Sequence, residues 1–349
     1  MPSKELLKTA AAVDLPLAWD NLAEAYFQQR EFLHHCERFN PCHQRYYMLF
    51  EQKVLKAGAV VYTLQIDLLT FSRVRSPVKM QVIGLPASVS AAGVIGSKAC
   101  VEQLLQLLLQ KEKGLLLGVN LDPQLEVAPG IAMPILPNVE LELPFSGWGH
   151  YLRSLRSPYR RRLKRTMAKF EAVQRETTPC SAFSGWHYKL YRAILKRTPN
   201  KLETLPEAFF RNLPPAFRLT TYRLPAPAGN GAAVEIRGGT ILCWSITCRE
   251  AGRFYFFFGG MNYDLIQSYD SYFNNLFGIL QMALAQKCTY LDLGQTAEVP
   301  KMRLGGQLVP KQMFLYHRNP ILYWALERLK PFIRYKEAFP ATHVFKKST

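Results

Sequence analysis

Between Tyr151 and Phe170 the chain carries eight Lys or Arg and no acid. Ser157-Pro158 near its start is a good N-cap and first-turn pair. Leu155, Tyr159, Leu163, Met167, Phe170 and Val173 then recur at spacings of three and four, so the cations ride on an amphipathic helix. Arg160 and Lys164 lie one turn apart, close enough to grip one phosphate together. Tyr159 belongs to the same stretch, as a substrate-side aromatic or as part of the apolar stripe. A helix of this kind is either a solvated face or a clamp for the phosphates of a nucleotide-linked group or of RNA.

A second set of candidates lies towards the C-terminus. Asp292-Leu293-Gly294-Gln295-Thr296 closes a short apolar run, and α/β proteins place ligands at the C-terminal ends of such strands. Asp292 is a general base or a loop cap. Gln295 and Thr296 offer hydrogen bonds to a substrate amide, and Lys301 and Arg303 offer charge to a phosphate or carboxylate. Phe258-Gly259-Gly260 ends an aromatic strand. Its glycines mark a turn with positive φ or a close approach of backbone to a ligand. Tyr269 and Tyr272 open a long helix as core aromatics, or, for Tyr272, as a general acid. His34-His35-Cys36 and Cys42-His43 match no zinc spacing, and no metal is expected. No Gly-x-Ser-x-Gly, Walker A or Rossmann glycine pattern is present.

The elements that must position these residues read as an alternation of strands and helices. Residues 1–56 read as mainly helical, 57–71 and 78–84 as strands, 97–110 as a helix and 115–121 as a buried strand. Residues 122–137 contain four prolines and read as a loop or edge strand, with a short strand at 139–143. Beyond a compositional shift near 144–149 come helices at 187–197 and 206–213 and strands at 218–223, 233–237, 240–249 and 253–259. Glycine-bearing turns separate these strands. A long helix at 268–287, a strand at 289–293 and a last helix capped by Asn319-Pro320 complete the chain. No internal repeat is visible. The division expected is residues 1–146 and 147–349.

Composition narrows the setting. The chain has 349 residues, 48% hydrophobic, which suggests two cores. Its net charge of +18 is uneven: residues 1–149 hold 13 Lys/Arg against 14 Asp/Glu, and residues 150–349 hold 31 against 12. The C-terminal half therefore faces an acidic partner. The sequence starts without a signal-like apolar run, and no stretch reaches the length of a membrane span. Seven irregularly spaced cysteines fit a reducing, cytoplasmic setting. The basic C-terminal helix and tail, 320–349, allow peripheral membrane contact.

Three segments in order carry a family resemblance. The first is Tyr151-Leu152-Arg153-Ser154-Leu155 followed by Tyr159-Arg160-Arg161-Arg162-Leu163-Lys164-Arg165. The second is Phe257-Phe258-Gly259-Gly260-Met261-Asn262-Tyr263 leading to Tyr269–Phe273. The third is Leu291-Asp292-Leu293-Gly294-Gln295-Thr296 followed by Lys301-Met302-Arg303-Leu304-Gly305-Gly306. Together, over about residues 147–318, they resemble the GNAT-superfamily acyltransferases related to the FemAB peptidoglycan-interpeptide enzymes.

The resemblance implies an α/β fold with a mixed, largely antiparallel sheet flanked by helices, in two GNAT-like lobes of which the first is degenerate. It implies that an acyl donor lies between two splayed strands, here 253–259 and 289–293, and that an amine of a small molecule, sugar or peptide attacks it directly. Phe258, Gly259, Gly260, Gly294, Gln295, Arg160 and Lys164 would hold the donor. Tyr159, Thr296, Lys301 and Arg303 would face the acceptor, and Asp292 and Tyr272 would move protons. The donor expected first is an acyl-CoA such as acetyl-CoA. CoA-dependent members usually carry a glycine-rich pyrophosphate loop before the central helix. Here Met261 to Tyr269 contains no glycine, as in FemAB-like members that use aminoacyl-tRNA. A tRNA-dependent peptidyltransferase and a non-catalytic nucleic-acid-binding protein are the alternatives.

Overall fold

The computed structural model describes residues 4–67, 77–197, 203–225, 239–336 and 338–346. The expected turn at 229–231, the strand at 233–237 and the end of the strand at 57–71 lie outside them. The strands are β1 (Lys4–Thr9), β2 (Arg45–Glu51), β3 (Val54–Asp67), β4 (Pro77–Ile83), β5 (Val94–Gly96), β6 (Leu115–Leu121), β7 (Ile131–Glu142), β8 (Gln174–Pro179), β9 (Phe217–Arg223), β10 (Ile241–Glu250), β11 (Arg253–Met261), β12 (Tyr290–Asp292) and β13 (Gln307–Tyr316). The α-helices are α1 (Ala18–Leu22), α2 (Arg30–Phe39), α3 (Lys98–Lys111), α4 (Trp148–Ser154), α5 (Ser157–Ala168), α6 (Gly185–Arg197), α7 (Glu207–Arg211), α8 (Ile266–Tyr269), α9 (Ser271–Ala285), α10 (Glu298–Met302) and α11 (Pro320–Ile333).

Two compact units share the chain. The first holds the described residues up to Asn138, then 203–209 and Val309–Ala338; the second holds 139–197, 210–308 and those from Phe339 onward. In the first, β1, β2, β3 and β4 pair antiparallel in turn, β5 adds to β3, and β6 pairs with β13 antiparallel. The parallel pair is β4 with β6, joined through α3. In the second unit β7, β12, β11, β10, β9 and β8 lie side by side, and the parallel pair is β11 with β12, joined through α9. The remaining pairs there are antiparallel. Each unit thus has a largely antiparallel sheet containing one parallel strand–helix–strand crossover, a repeat that the sequence conceals.

The two crossovers differ where it matters. In the first unit β4 pairs with β6 up to its last residue, Ile83, opposite Gly118. The following residues Leu85, Ala87 and Val89 are buried, and Asn120 of β6 donates to the Val89 carbonyl at 2.6 Å. In the second unit the last pair is Tyr255 with Asp292, and β11 runs on to Met261. The first crossover is packed shut and the second opens.

Apolar patterning accounts for the cores. Val101, Leu104, Leu105 and Leu108 of α3 pack on β2, β3 and β6 in the first unit. Leu276, Ile279, Leu280 and Ala283 of α9 pack on β7 and β12 in the second. The β10–β11 hairpin turns on Ala251 (φ 44°) and Gly252 (φ 79°), the left-handed pair that a tight hairpin needs.

Several expectations are corrected. Residues 1–56 are not mainly helical: β1 and β2 flank the short helices there. The proline-rich stretch is loop up to Gly130 and strand beyond it, where β7 runs unbroken past Pro134 and Pro137 inside the sheet instead of at its edge. Ser157 is the first residue of α5, and its N-cap is Arg156. The expected helix at 268–287 is two helices, broken at Asp270, whose φ of 47° is left-handed. No sequence pattern announces β5, β8 or β13.

Candidate functional site

The opening begins at Tyr255. Up to that residue β11 pairs with β12; beyond it β12 ends and β11 continues beside β10 alone. The β10 ladder slips at the same place: Thr247 faces Phe256, and Ile246 faces Phe258. Phe257 is therefore the extra residue of a β-bulge, a device that re-aims a strand's backbone. The ladder to β12 thus ends beside the bulge, and from there on that edge of β11 is no longer paired with a strand.

Gly259 and Gly260 lie inside β11, and neither has positive φ. The reason for glycine is the neighbouring strand. A Cβ on Gly260 would fall 2.0 Å from Nε1 of Trp244, and one on Gly259 would fall 3.1 Å from the Trp244 carbonyl. Trp244 is buried, and its indole N–H donates to the His187 carbonyl at 3.0 Å. Phe258 packs its ring against Tyr191, Phe210 and Phe257.

The loop after β12 forms the other edge. Asp292 is buried, and its Oδ1 accepts from the Gly294 N–H at 2.8 Å, so it acts as a loop cap. Gly294 has φ +70°, and a Cβ there would meet the Phe256 carbonyl of β11 at 3.7 Å. Thr296 and Ala297 are left-handed without being glycine, at φ 63° and 50°. Gln295 is half-buried, Thr296 exposed and Arg303 half-buried at the end of α10.

Lys301 is placed otherwise than expected. It is 2% exposed, and its Nζ donates to the carbonyls of Gly294 at 3.0 Å and Gln295 at 2.7 Å. It staples the loop from beneath instead of offering a surface charge. Burial pushes its pKa down from 10.5 to about 7, against the opposing pull of Glu298 and Asp292. Glu298 belongs to no sequence motif. It is buried, and its Oε1 has no hydrogen-bond partner. Gly305-Gly306 are explained by packing: a Cβ would meet Phe345 at 2.3 Å on Gly305 and Val139 at 2.6 Å on Gly306.

Helix α9 covers the same end of the sheet. Tyr272, in its first turn, packs on the apolar core. Burial raises its pKa, and Glu298 and Tyr263 raise it further, so its hydroxyl keeps its proton. The basic helix α5 docks here. Lys169 pairs with Asp270 at 2.9 Å, Thr166 donates to Asp270 at 3.4 Å, and Asn274 donates to the Thr166 carbonyl at 2.9 Å. Tyr159 packs on the core. Arg160 is half-buried; Arg161, Arg162, Lys164 and Arg165 are exposed. Among the described residues, none of these five side chains has an ion-pair or hydrogen-bond partner.

The histidines and cysteines near residue 40 do not converge. His35 is buried against Phe209 and Phe39, His34 pairs with Glu37 at 3.6 Å, and burial pushes the Cys42 thiol up to about 12. Among the described residues no three His, Cys, Asp or Glu side chains group as a metal site requires.

No family model matches the chain, and no curated protein matches its sequence. Solved structures do match in fold. FemX superposes with a TM-score of 0.52 at 12% identity, over 87% of this chain and 94% of its own. The chain has the FemAB-like GNAT fold. A conserved protein of unknown function from Bacteroides thetaiotaomicron matches with a TM-score of 0.52 at 9% identity, over 89% of this chain and 99% of its own. A tandem GNAT protein from the clavulanic acid biosynthesis pathway matches with a TM-score of 0.44 at 9% identity, over 90% of this chain and 98% of its own. In this frame β11 and β12 are the parallel pair whose pairing stops at Tyr255 and Asp292.

Proposed function

We propose that this protein is an N-acyltransferase that holds an activated acyl ester in the opening beyond Tyr255 and Asp292 and passes the acyl group directly to an amine. The parting of β11 from β12 beside the Phe257 bulge carries this reading. Backbone N–H groups of β11 would polarise the donor carbonyl, and the walls would align it with the amine. The amine nitrogen bonds to the carbonyl carbon, and the bond to the leaving sulfur or oxygen breaks. The leaving group takes a proton, and the amine loses one. Tyr272, which keeps its proton, suits the first transfer. The carboxyl group of Glu298, whose Oε1 is buried without a hydrogen-bond partner, suits the second.

The helix start bears on the donor. A CoA pyrophosphate rests on bare N–H groups at a helix N-terminus. Here the segment between β11 and α9 holds Asp264 and Asp270, and Asp270 is the N-cap of α9. That end therefore carries a carboxylate, itself paired with Lys169, in place of the glycine-rich loop a pyrophosphate needs. The partnerless cations of α5 supply counter-charge instead. Both observations support an aminoacyl-tRNA donor over acetyl-CoA or a longer acyl-CoA, with the amine of a small molecule, sugar or peptide as acceptor.

Thermal unfolding with free CoA, acyl-CoAs, charged tRNA and uncharged tRNA tests this, since a ligand of the native state raises the melting temperature. A shift with charged tRNA exceeding that with uncharged tRNA is expected. A shift with CoA compounds alone overturns the donor assignment. Equal shifts with both tRNAs and no transfer to any amine favour plain nucleic-acid binding and overturn the enzymatic reading.

A further inference from the structure

Helix α11 has two apolar faces, and only one is covered. Asn319 caps it, accepting from the N–H groups of Ile321 and Leu322. Its inner face, Tyr323, Leu326, Leu329 and Ile333, packs on the core of the first unit. Its outer face recurs at 321, 324, 328 and 332, one stripe of the helix. Ile321 is 74% exposed, Trp324 56% and Phe332 60%, with Leu322 at 49% beside them. Of the ten large apolar side chains exposed among the described residues, these are four. Such concentration on 14 residues marks a contact surface, where scattered single residues would not.

The charges on the helix say what the surface meets. Arg328 lies in the middle of the apolar stripe with its guanidinium 5.1 Å from the Trp324 ring centre. Arg318, Arg334 and Lys336 are exposed just beyond the ends of the helix, against the single exposed acid Glu327. Trp and Phe at headgroup depth with Arg and Lys reaching to phosphates describe a helix lying on an anionic bilayer. A second copy of the chain fits poorly, because a symmetric contact centred on this stripe would set Arg328 against its own counterpart. No described helix is long and apolar enough to cross a membrane, so a lipid contact through α11 is peripheral.

We infer that the outer face of α11 docks on an anionic phospholipid surface, with Ile321, Trp324 and Phe332 entering the headgroup layer. The inference is independent of the acyl-transfer reading. Flotation with vesicles of phosphatidylcholine alone, and of phosphatidylcholine mixed with phosphatidylglycerol, tests it. The full chain is expected to float with the mixed vesicles and not with the neutral ones. The Trp324→Glu/Phe332→Glu variant is expected to lose at least about tenfold in partitioning, with an unchanged melting temperature because both side chains are exposed. Arg328→Glu, which leaves the apolar stripe in place, is expected to weaken the same binding. Failure to float with mixed vesicles, equal binding to neutral ones, or binding indifferent to these substitutions overturns the proposal. So does a dimer, seen by light scattering, that the double variant dissolves while vesicles are ignored.

Discussion

Gly260 of β11 stands opposite Trp244 of β10, and a side chain on the glycine would occupy the place of the indole nitrogen. The indole is buried among Phe183 and Phe210, and its N–H is engaged by the His187 carbonyl. Gly260→Ala must therefore displace a fixed ring. We expect destabilisation of about 3 kcal/mol, at the upper end for overpacking. Gly259→Ala, with its closest contact at 3.1 Å, should cost less. Urea denaturation of both variants checks the order, and a milder Gly260→Ala than Gly259→Ala would contradict the packing account.

Lys301 predicts a pH effect. Its folded pKa is about 7 and its ordinary value 10.5. Between these values the unfolded chain binds a proton that the folded chain lacks, so stability rises with pH across this window. Lys301→Met removes the group that titrates. The stability of the wild type relative to Lys301→Met should therefore grow between pH 7 and about 10, as read by denaturant unfolding at each pH. A constant difference would mean that Lys301 is ionised in the folded protein.

His187 acts at the acid end. It is buried, its Nδ1 accepts from the Ser184 N–H at 3.0 Å, and its Nε2 lies 3.0 Å from the Thr221 hydroxyl. Burial first, and Arg223 second, push its pKa down from 6.5 to about 4. The neutral ring is favoured on folding. Its contribution is complete above pH 6.5 and declines as the pH falls towards 4. His187→Gln should lack this component of acid destabilisation. Parallel acid titrations of wild type and variant that keep the same shape would refute the assignment.

How far these features were legible depends on the kind of signal. The leucine run of α3, the buried strand β6 and the Asn319-Pro320 cap each rest on strong local chemistry and stand where expected. β8, Gln174–Pro179, is largely exposed and has no apolar alternation to reveal it. β2 is buried in four consecutive residues, so its run lacks the period of two that marks a strand. The break at Asp270 has no glycine or proline to announce it; Lys169 and Thr166, about a hundred residues away, help to hold it. At the candidate site the order of motifs marked the parted strands, but it could not tell that Lys301 turns inward. That follows from the loop path through left-handed Thr296 and Ala297. Glu298 escaped for the same reason.

Tyr272 separates chemistry from packing. If its hydroxyl supplies the leaving group's proton, Tyr272→Phe should lower turnover by about a hundredfold with little change in the substrate concentration for half-maximal rate. The ring stays, so the melting temperature should hold within a few degrees. A variant of full activity would leave Tyr272 as a core aromatic only.

The cations of α5 give the sharpest distinction between a solvated face and a binding one. Arg161 and Lys164 are exposed, and their side chains have no partners among the described residues. Replacing them by alanine therefore removes no visible contact, and on a merely solvated face nothing measurable should change. If they meet phosphates, each contact releases counterions on binding. The slope of log affinity for tRNA against log salt should then fall by about one unit per cation removed, with affinity weakened alike for different tRNA sequences. Arg160→Ala belongs in the same series: it is half-buried and one turn from Lys164, so a shared phosphate would make the double variant less than additive. Filter binding of tRNA across a salt series reads both effects. An unchanged slope in the Arg161→Ala/Lys164→Ala variant would move the helix to the solvated class and remove one of the two supports for a tRNA-borne donor, leaving the acids at the α9 N-terminus as the other.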